Sequence, residues 1–346
     1  MSTELVSFFL FLIFINFIVY LKFYKIANFI NIFDKPDRIL KKHKFSVPLL
    51  GGFILLINCF LVLIFVFCFY DQNLIINFSE RTLLSIIFFL LSFFLLGVMD
   101  DKHGIRPEKK IILSVVFSII AITLNNDLLI SDLNFSFYSK TLYLDDFEYF
   151  FTIFCVIILI NSLNFYDGIN GQSIIFLIIC FIYLAFKSPI YLIYISIIFI
   201  LVFNLVLNLQ NKLFMGDSGI YLSSIILIVS LIYEYNVIGS IIYADEIFLL
   251  LIIPGYDLLR LSIQRILKGK SAFYGDRNHI HHLLMKKFNL FRTNIILFFL
   301  SVLPILLFTV FKINFFNIFF ITTTIYLILI LILQIDDKKY HIRQKK

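Results

Sequence analysis

Acidic, amide, imidazole and basic side chains gather in five short stretches of a sequence that is otherwise largely apolar. One stretch contains the adjacent carboxylates Asp100 and Asp101, followed by Lys102 and further basic residues. Adjacent carboxylates repel each other unless a cation or a shared proton relieves them, so one can act as a base or metal partner while the other holds a neighbouring group. A solvated helix end explains the pair equally well when this motif is taken alone.

Amide side chains precede a further carboxylate. Asn161 and Asn164 are three residues apart and share one helix face, and the Asp-Gly-Ile-Asn-Gly sequence that follows predicts a tight turn carrying Asp167 and Asn170. Carboxylate and amide oxygens that converge at a bilayer surface suit a site for a metal-bound diphosphate. A plain turn explains the second half of this motif, but it does not explain the burial of two asparagines.

The motif Met215-Gly216-Asp217-Ser218-Gly219 opens an apolar segment. Asp217 is a hard oxygen ligand of the kind that Mg²⁺ prefers, and the glycines leave room for a phosphate group at a helix N-terminus. Helix capping by Asp217 or Ser218 is the structural alternative.

A basic stretch closer to the N-terminus includes Lys42 and His43, which are both able to bind phosphate groups. Pro48 and the Gly51-Gly52 pair that follow predict a fixed turn and a close backbone approach at the start of the next apolar segment. A basic cytoplasmic loop with no chemical role explains the same residues.

The last motif places Arg277 just before three histidines within residues 279–282. Guanidinium and imidazole groups are natural donors to a diphosphate. Zinc would require a better-spaced set that included Cys or acidic ligands, so we do not expect these histidines to bind a metal. Upstream, Asp257 and Arg260 lie three residues apart on one helix face and are expected to pair with each other.

Long apolar segments must position these groups. Hydrophobic residues make up 61% of the 346 positions, and a helix needs roughly 20 mostly apolar residues to span a bilayer. A β-barrel would show short alternating segments instead. The sequence therefore predicts an all-α polytopic bundle, a single integral membrane domain with a cytoplasmic tail at its C-terminal end. Eleven segments are expected to span the membrane: 4–22, 47–70, 82–99, 111–125, 148–164, 173–187, 189–208, 218–234, 247–266, 293–311 and 315–334.

The distribution of basic residues predicts that the N-terminus lies outside and the C-terminus inside. With that orientation, only Arg81, Lys140, Lys187 and Lys312 of the 29 Lys and Arg residues fall on the outer side. The net charge of +7 then describes a cytoplasmic surface that faces anionic lipid. Nucleic-acid binding is excluded because no soluble domain is available to carry it.

The ordered motifs resemble the polyprenyl-phosphate N-acetylhexosamine-1-phosphate transferases, a family that includes the phospho-MurNAc-pentapeptide translocases. The resemblance covers residues 34 to 284 and runs D-K-P, K-K-H, V-P-L-L-G-G, G-V-M-D-D, N-S-L-N-F-Y-D-G-I-N-G, F-M-G-D-S-G and D-R-N-H-I-H-H. It implies a bundle of ten or eleven membrane helices with the active site on the cytoplasmic side of the plasma membrane, which is the inner membrane of a Gram-negative cell.

The resemblance also implies roles for individual residues. Asp217 matches the principal Mg²⁺ ligand, with Mn²⁺ as an alternative ion, and Asn164 belongs to the motif that lines the metal and nucleotide site. The residues expected to be catalytic are Asp100, Asp101, Asp167 and His282, with Asp100 proposed to deprotonate the lipid phosphate. The residues expected to bind substrate are Lys42, His43, Asn161, Asn164, Asn170, Arg277, His279 and His281. Asn170 is a departure, because many members of the family carry Asp at that position, and Asn cannot act as a base.

The reaction implied is transfer of a sugar 1-phosphate from a UDP-N-acetylhexosamine to polyprenyl (undecaprenyl) phosphate, with release of UMP. The interrupted D-R-N-H-I-H-H motif favours the branch that initiates O-antigen, teichoic acid or related glycans over the phospho-MurNAc-pentapeptide translocases. A transporter or flippase is the rival class, but transporters place polar residues near the membrane midplane. A homodimer is expected as one arrangement, and the oligomeric state is left open.

Overall fold

The computed structural model describes residues 3–34, 46–69, 80–272 and 277–344. Within these ranges the chain forms twelve helices, eleven of them at least 16 residues long. The helices are α1 (Thr3–Ile30), α2 (Gly51–Phe69), α3 (Glu80–His103), α4 (Pro107–Leu124), α5 (Glu148–Tyr166), α6 (Gln172–Lys187), α7 (Tyr191–Leu209), α8 (Gly216–Tyr233), α9 (Ala244–Leu267), α10 (Ile280–Met285), α11 (Leu290–Thr309) and α12 (Phe315–Gln344).

Each of the eleven long helices overlaps one of the apolar segments that the sequence predicts. Apolar segments in lipid become helices because every backbone polar group must then find its partner within the segment. Seven of the helical segments in the described residues are both long and apolar enough to cross a membrane by length and composition, which makes the chain a multi-pass membrane protein. The helix α6 is apolar but shorter, and α9 carries five charged residues.

Successive long helices run in alternate directions. The residues that follow or end α1, α3, α5 and α7 line the same cavity as the residues that precede or begin α2, α6, α8 and α11. We call this side of the bundle the cavity end. At the opposite end, a hairpin between α4 and α5 contacts the start of α9 through Ser136 and Asp245, and the start of α12 through Phe137 and Phe315.

Two small antiparallel sheets add to the all-α bundle that the sequence predicts. Strand β1 (Phe33–Asp34) pairs with β2 (Val47–Pro48), and β3 (Asp132–Phe135) pairs with β4 (Tyr138–Tyr143). The first sheet leads into α2, while the second forms the hairpin at the opposite end. Both lie in connections between the apolar segments.

Helix α8 lies at the centre of the bundle, and small residues bring its neighbours close to it. Most of its side chains are buried, whereas α1 is peripheral. A Cβ atom added to Gly97 of α3 would lie 2.3 Å from Ser218 Cα, and one added to Gly52 of α2 would lie 2.6 Å from Gly219 N. The close approach predicted for the Gly51-Gly52 pair is therefore confirmed, and it fixes the first turn of α8 between α2 and α3.

Candidate active site

A cavity of about 990 Å³ opens at the cavity end of the bundle. Its polar lining combines carboxylates, amides and cationic or imidazole groups that come from stretches far apart in the sequence. These residues are Asp34, Asp100, Asp101, Asn164, Asp167, Asn170, Asn208, Asn211, Asp217, Arg277, His282 and Lys286. The two signs of charge suit a ligand that contains both a metal cation and phosphate groups.

Asp101 is held by the backbone at the start of α8. Its Oδ1 atom accepts a hydrogen bond from the amide of Asp217 at 2.8 Å, and its Oδ2 atom accepts one from the amide of Ser218 at 3.0 Å. Gly216, with φ at +69°, turns the chain into α8 so closely that an added Cβ would lie 2.7 Å from Asp101 Oδ2. Asp101 thus satisfies amides that α8 itself leaves without partners.

Asp100, the other member of the pair, has different partners. Its side chain forms an ion pair with Lys110 at the start of α4 and accepts a hydrogen bond from the amide of Ile105 at 2.8 Å. The Asp217 carboxyl group lies close enough to Asp100 and Asp101 to interact with the charge of both. Three carboxyl groups on one wall of the cavity repel one another, so a cation in this place would be stabilised.

The D-G-x-N-G turn after α5 brings Asp167 to the cavity. Its carboxyl group accepts a hydrogen bond from the Ser173 hydroxyl. Burial raises the pKa of Asp167 to about 6; the Ser173 hydrogen bond opposes this shift, and the charge of Asp101 adds to it. The carboxylate is therefore basic enough to exchange a proton close to neutral pH.

Asn170 connects the same turn to the end of α7 through hydrogen bonds. Its amide nitrogen donates to Asn208 O at 3.0 Å and to Asn211 Oδ1 at 2.8 Å. The backbone amide of Gly171 donates to Asn208 Oδ1 at 2.6 Å, and Asn294 of α11 donates to Asn170 O at 2.9 Å. Asn170 lines the cavity, and it also fixes the shape of the turn.

The two asparagines of α5 have different surroundings. Asn164 lines the cavity. Asn161 does not: its amide nitrogen donates to Ile157 O of its own helix at 2.8 Å, and the side chain is only half-buried. One helical turn carries Asn161 away from the end of the bundle where the cavity lies, and its role in substrate binding stays a prediction.

His282 is the histidine of the last motif that lines the cavity, together with Arg277. His279 lies outside the cavity and is buried, with Nδ1 at 2.9 Å from Asp257 Oδ2 and Nε2 at 3.3 Å from Arg265 Nη2. Both of its ring nitrogens have partners within the protein, and its role in substrate binding stays a prediction.

His281 also lies outside the cavity lining. It is fully buried, neither ring nitrogen has a hydrogen-bond partner, and an added Cβ on Gly168 would lie 1.8 Å from its Nε2. Burial lowers its pKa well below the usual range, and the neighbouring His282 and His279 lower it further. Successive side chains of a helix point about 100° apart, and His282 takes the direction of the cavity. A role of His281 in substrate binding stays a prediction. The ring of His281 packs against the turn that carries Asp167.

The pairing predicted for Asp257 and Arg260 is confirmed, with Arg260 Nη2 at 2.6 Å from Asp257 Oδ1. Lys42 and His43 lie outside the described residues. Asp34, which precedes them, lines the cavity. It was absent from the expected site, although it opens the D-K-P motif.

Three further residues of the cavity were also missed, namely Asn208, Asn211 and Lys286. The sequence contains a signal that could have predicted the two asparagines. They are three residues apart at the end of an apolar segment, as Asn161 and Asn164 are. Lys286 follows His282 by one helical turn, so its position relative to the cavity depended on the orientation of α10.

Apolar helices with an acidic and basic cavity at one end define a multi-pass membrane protein with a site for an anionic, metal-binding ligand. Comparison with known proteins narrows this class. Residues 83–234 match the model of glycosyl transferase family 4, a range that includes Asp100, Asp101, Asn164, Asp167 and Asp217.

The chain is also similar to curated proteins called undecaprenyl-phosphate alpha-N-acetylglucosaminyl 1-phosphate transferase. The protein of that name from Salmonella typhi is 30% identical over 296 residues, covering 82% of this chain and 76% of the relative. The one from Escherichia coli (strain K12) is 27% identical over 305 residues, with the same coverage, and the one from Yersinia pestis is 28% identical over 297 residues, covering 83% and 77%. The chain belongs to glycosyl transferase family 4.

Proposed function

We propose that this protein transfers N-acetylglucosamine 1-phosphate, or another N-acetylhexosamine 1-phosphate, from a UDP-sugar to undecaprenyl phosphate and releases UMP. The observation that carries the proposal is the meeting of Asp100, Asp101, Asp167, Asp217 and His282 in one cavity. A non-catalytic scaffold has no use for such a convergence, and a transporter would hold its polar groups near the midplane rather than at one end of the bundle.

The carboxylates of the cavity fit a divalent cation, Mg²⁺ or Mn²⁺. Among the described residues, no group of three or more His, Cys, Asp and Glu side chains has the arrangement of a preformed metal site. Mg²⁺ does not require one, because it keeps several waters and binds through one or two carboxylates together with substrate phosphates. Asp217 would hold the ion, with Asn164 nearby on the cavity wall, and the ion would neutralise charge on the diphosphate.

The remaining groups act on the two phosphate substrates. Arg277, His282 and Lys286 supply donors for the diphosphate of the UDP-sugar. An oxygen of the lipid phosphate attacks the sugar-linked phosphorus, the bond from that phosphorus to the UMP oxygen breaks, and UMP leaves. Asp100 accepts the proton of a monoprotonated lipid phosphate, while its ion pair with Lys110 keeps the carboxylate in place. Positioning and charge stabilisation supply most of the rate enhancement in such transfers.

We infer an arrangement of eleven membrane-spanning helices with the N-terminus outside and the cavity at the cytoplasmic face. Support comes from the alternating directions of the eleven long helices and from the basic residues at the cavity end, which include Lys102, Arg106 and Lys109. Labelling of single cysteines introduced at residues 103 and 140 with a membrane-impermeant thiol reagent tests this arrangement. A reaction of residue 103 from outside intact cells contradicts it.

The function is tested with purified protein, undecaprenyl phosphate and a panel of UDP-sugars, with the lipid product identified by mass spectrometry. We expect UMP and undecaprenyl-diphospho-N-acetylhexosamine in equal amounts. Asp217→Ala is expected to abolish UMP release while the protein stays folded. Near-normal turnover by this variant removes the assignment of Asp217. A product that carries MurNAc-pentapeptide indicates the phospho-MurNAc-pentapeptide translocase reaction instead.

A further inference from the structure

Asp257 lies outside the cavity lining and accepts hydrogen bonds from three separate elements. Its Oδ1 atom accepts from Arg260 Nη2 at 2.6 Å, from the Ile280 amide at 3.1 Å and from the Tyr326 hydroxyl at 3.1 Å. Its Oδ2 atom lies 2.9 Å from His279 Nδ1. The side chain is almost completely buried, so it forms an internal junction between α9, α10 and α12.

The groups around His279 fix its tautomer. The Asp257 carboxylate only accepts hydrogen bonds, so the proton lies on Nδ1 of the ring. The guanidinium of Arg265 only donates, so Nε2 is the acceptor there. His279 thus links α9 to the start of α10.

Two arginines of α9 hold the chain on both sides of Arg277. Arg265 Nη1 donates to Ala272 O at 2.7 Å, and Arg260 Nη2 donates to Asn278 O at 2.8 Å. Arg260 is itself bound to Asp257, so the carboxylate, the two guanidinium groups and His279 form one buried network. Ala272 and Asn278, which lie before and after Arg277 in the sequence, are therefore attached to α9 by this network.

The network has a direct consequence for His282. Helix α10 is six residues long and too short to hold its orientation alone. His282 follows His279 by three residues and lines the cavity. The direction of the His282 side chain is thus set by the bonds of Asp257 to the first turn of α10.

We propose that Asp257 is a positioning residue for nucleotide-sugar binding, which acts by fixing α10 so that His282 and Arg277 face the diphosphate. The proposal rests on the proposed function, since it assigns the diphosphate of a UDP-sugar to these two side chains. Asp257 itself does not touch the substrate.

The Asp257→Asn variant keeps the size of the side chain. It replaces one acceptor oxygen by an amide NH2 group, which then faces the hydrogen-bond donors that surround Asp257. We expect the KM for UDP-N-acetylglucosamine to rise about tenfold, while the KM for undecaprenyl phosphate changes less than about twofold. The matched control is Tyr256→Phe. It removes the neighbouring hydroxyl contact between α9 and α12, to Thr323, without touching α10, and it should leave both KM values within about twofold.

A double-mutant cycle separates positioning from general damage. In a background that carries both His282→Ala and Arg277→Ala, Asp257→Asn is expected to change the KM for the UDP-sugar less than about twofold further, because both side chains that Asp257 positions are absent. A loss that multiplies fully with that of the His282→Ala, Arg277→Ala background overturns the proposal. If Asp257→Asn fails to fold, His279→Gln takes its place in the same cycle with the same expectation. A wild-type protein that releases no UMP from any UDP-sugar refutes the proposed function, whereas an active wild type with a fully multiplicative cycle refutes the positioning role alone.

Discussion

The carboxylate of Asp101 is bonded to the backbone amide of Asp217 at 2.8 Å, and the amide of Ser218 bonds to its other oxygen. The side chain of Asp101 thus holds the start of α8 through backbone amides. The carboxyl group of Asp217 does not take part in these bonds; it lines the cavity and interacts with the charge of Asp100. The adjacent aspartates of α3 consequently have different roles. We propose that Asp101 positions the start of α8, whereas Asp100, which lines the cavity, acts on the lipid phosphate.

Asp101→Asn and Asp217→Asn are therefore expected to fail in different ways. Asn at position 101 keeps one acceptor and turns a donor towards a backbone amide, so the free energy of unfolding should fall by about 2 kcal/mol. Asn at position 217 removes a charge from a repelling group, so stability should be unchanged or higher, while kcat falls about a hundredfold or more. Thermal unfolding and UMP release, measured on the same preparations, distinguish the two.

The test lies in the difference between the two variants, Asp101→Asn and Asp217→Asn. An Asp217→Asn protein that unfolds as easily as Asp101→Asn means that the Asp217 carboxylate has a structural partner. An Asp101→Asn protein with full stability means that the bonds to α8 contribute nothing. Either result contradicts the division of roles.

Gly168→Ala is expected to disturb the turn that carries Asp167. An added Cβ would lie 1.8 Å from Nε2 of the buried His281, so the ring or the turn must move, at a cost of about 1–3 kcal/mol. Transferase activity should fall as well, because the displaced turn moves Asp167 away from α10. Gly255→Ala is the matched control, since nothing lies within 4 Å of its added Cβ. A His281→Ala change that restores activity to Gly168→Ala supports the contact as the cause, and equal activity of both glycine variants contradicts it.

The sequence predicted the helices and most of the cavity because both follow from local signals. Apolar length specifies the long helices, and polar motifs at their ends converge once the helices alternate in direction. The direction in which each side chain of a motif points was not predictable from the sequence. Asn161, His279 and His281 have the same chemistry as Asn164 and His282. The position of Asn161 depends on how far α5 extends towards the cavity, and the sides that the histidines face depend on the packing of α9 and α10. The hairpin of β3 and β4 was missed because it lies in a connection between two apolar segments, although Leu133, Phe135 and Phe137 alternate with polar residues there.

Removal of divalent metal is expected to stop turnover while the fold is retained. Chelation with EDTA should abolish UMP release, and added Mg²⁺ should restore it, with Mn²⁺ as a substitute. The fold should persist, because the carboxylates of the cavity already have protein partners such as Lys110 and the amides of α8. Asp217→Ala should show no recovery at any Mg²⁺ concentration. Undiminished turnover in EDTA argues against metal involvement altogether.

Asn16 of α1 and Asn58 of α2 form a reciprocal amide pair, with bonds of 2.8 Å and 3.1 Å, inside the apolar part of the bundle. Each amide also donates to a carbonyl of its own helix, so when one of them is replaced by Leu the remaining amide keeps that bond and loses only its contact between helices. We expect a loss of about 0.6 kcal/mol, and at most about 1.7 kcal/mol, in unfolding from mixed micelles. The double variant should lose no more than either single one, because the second change removes an amide that has already lost its partner. Neither residue lines the cavity, so kcat and both KM values should stay at the wild-type level. Additive losses would show that the two amides stabilise the bundle independently rather than as a pair.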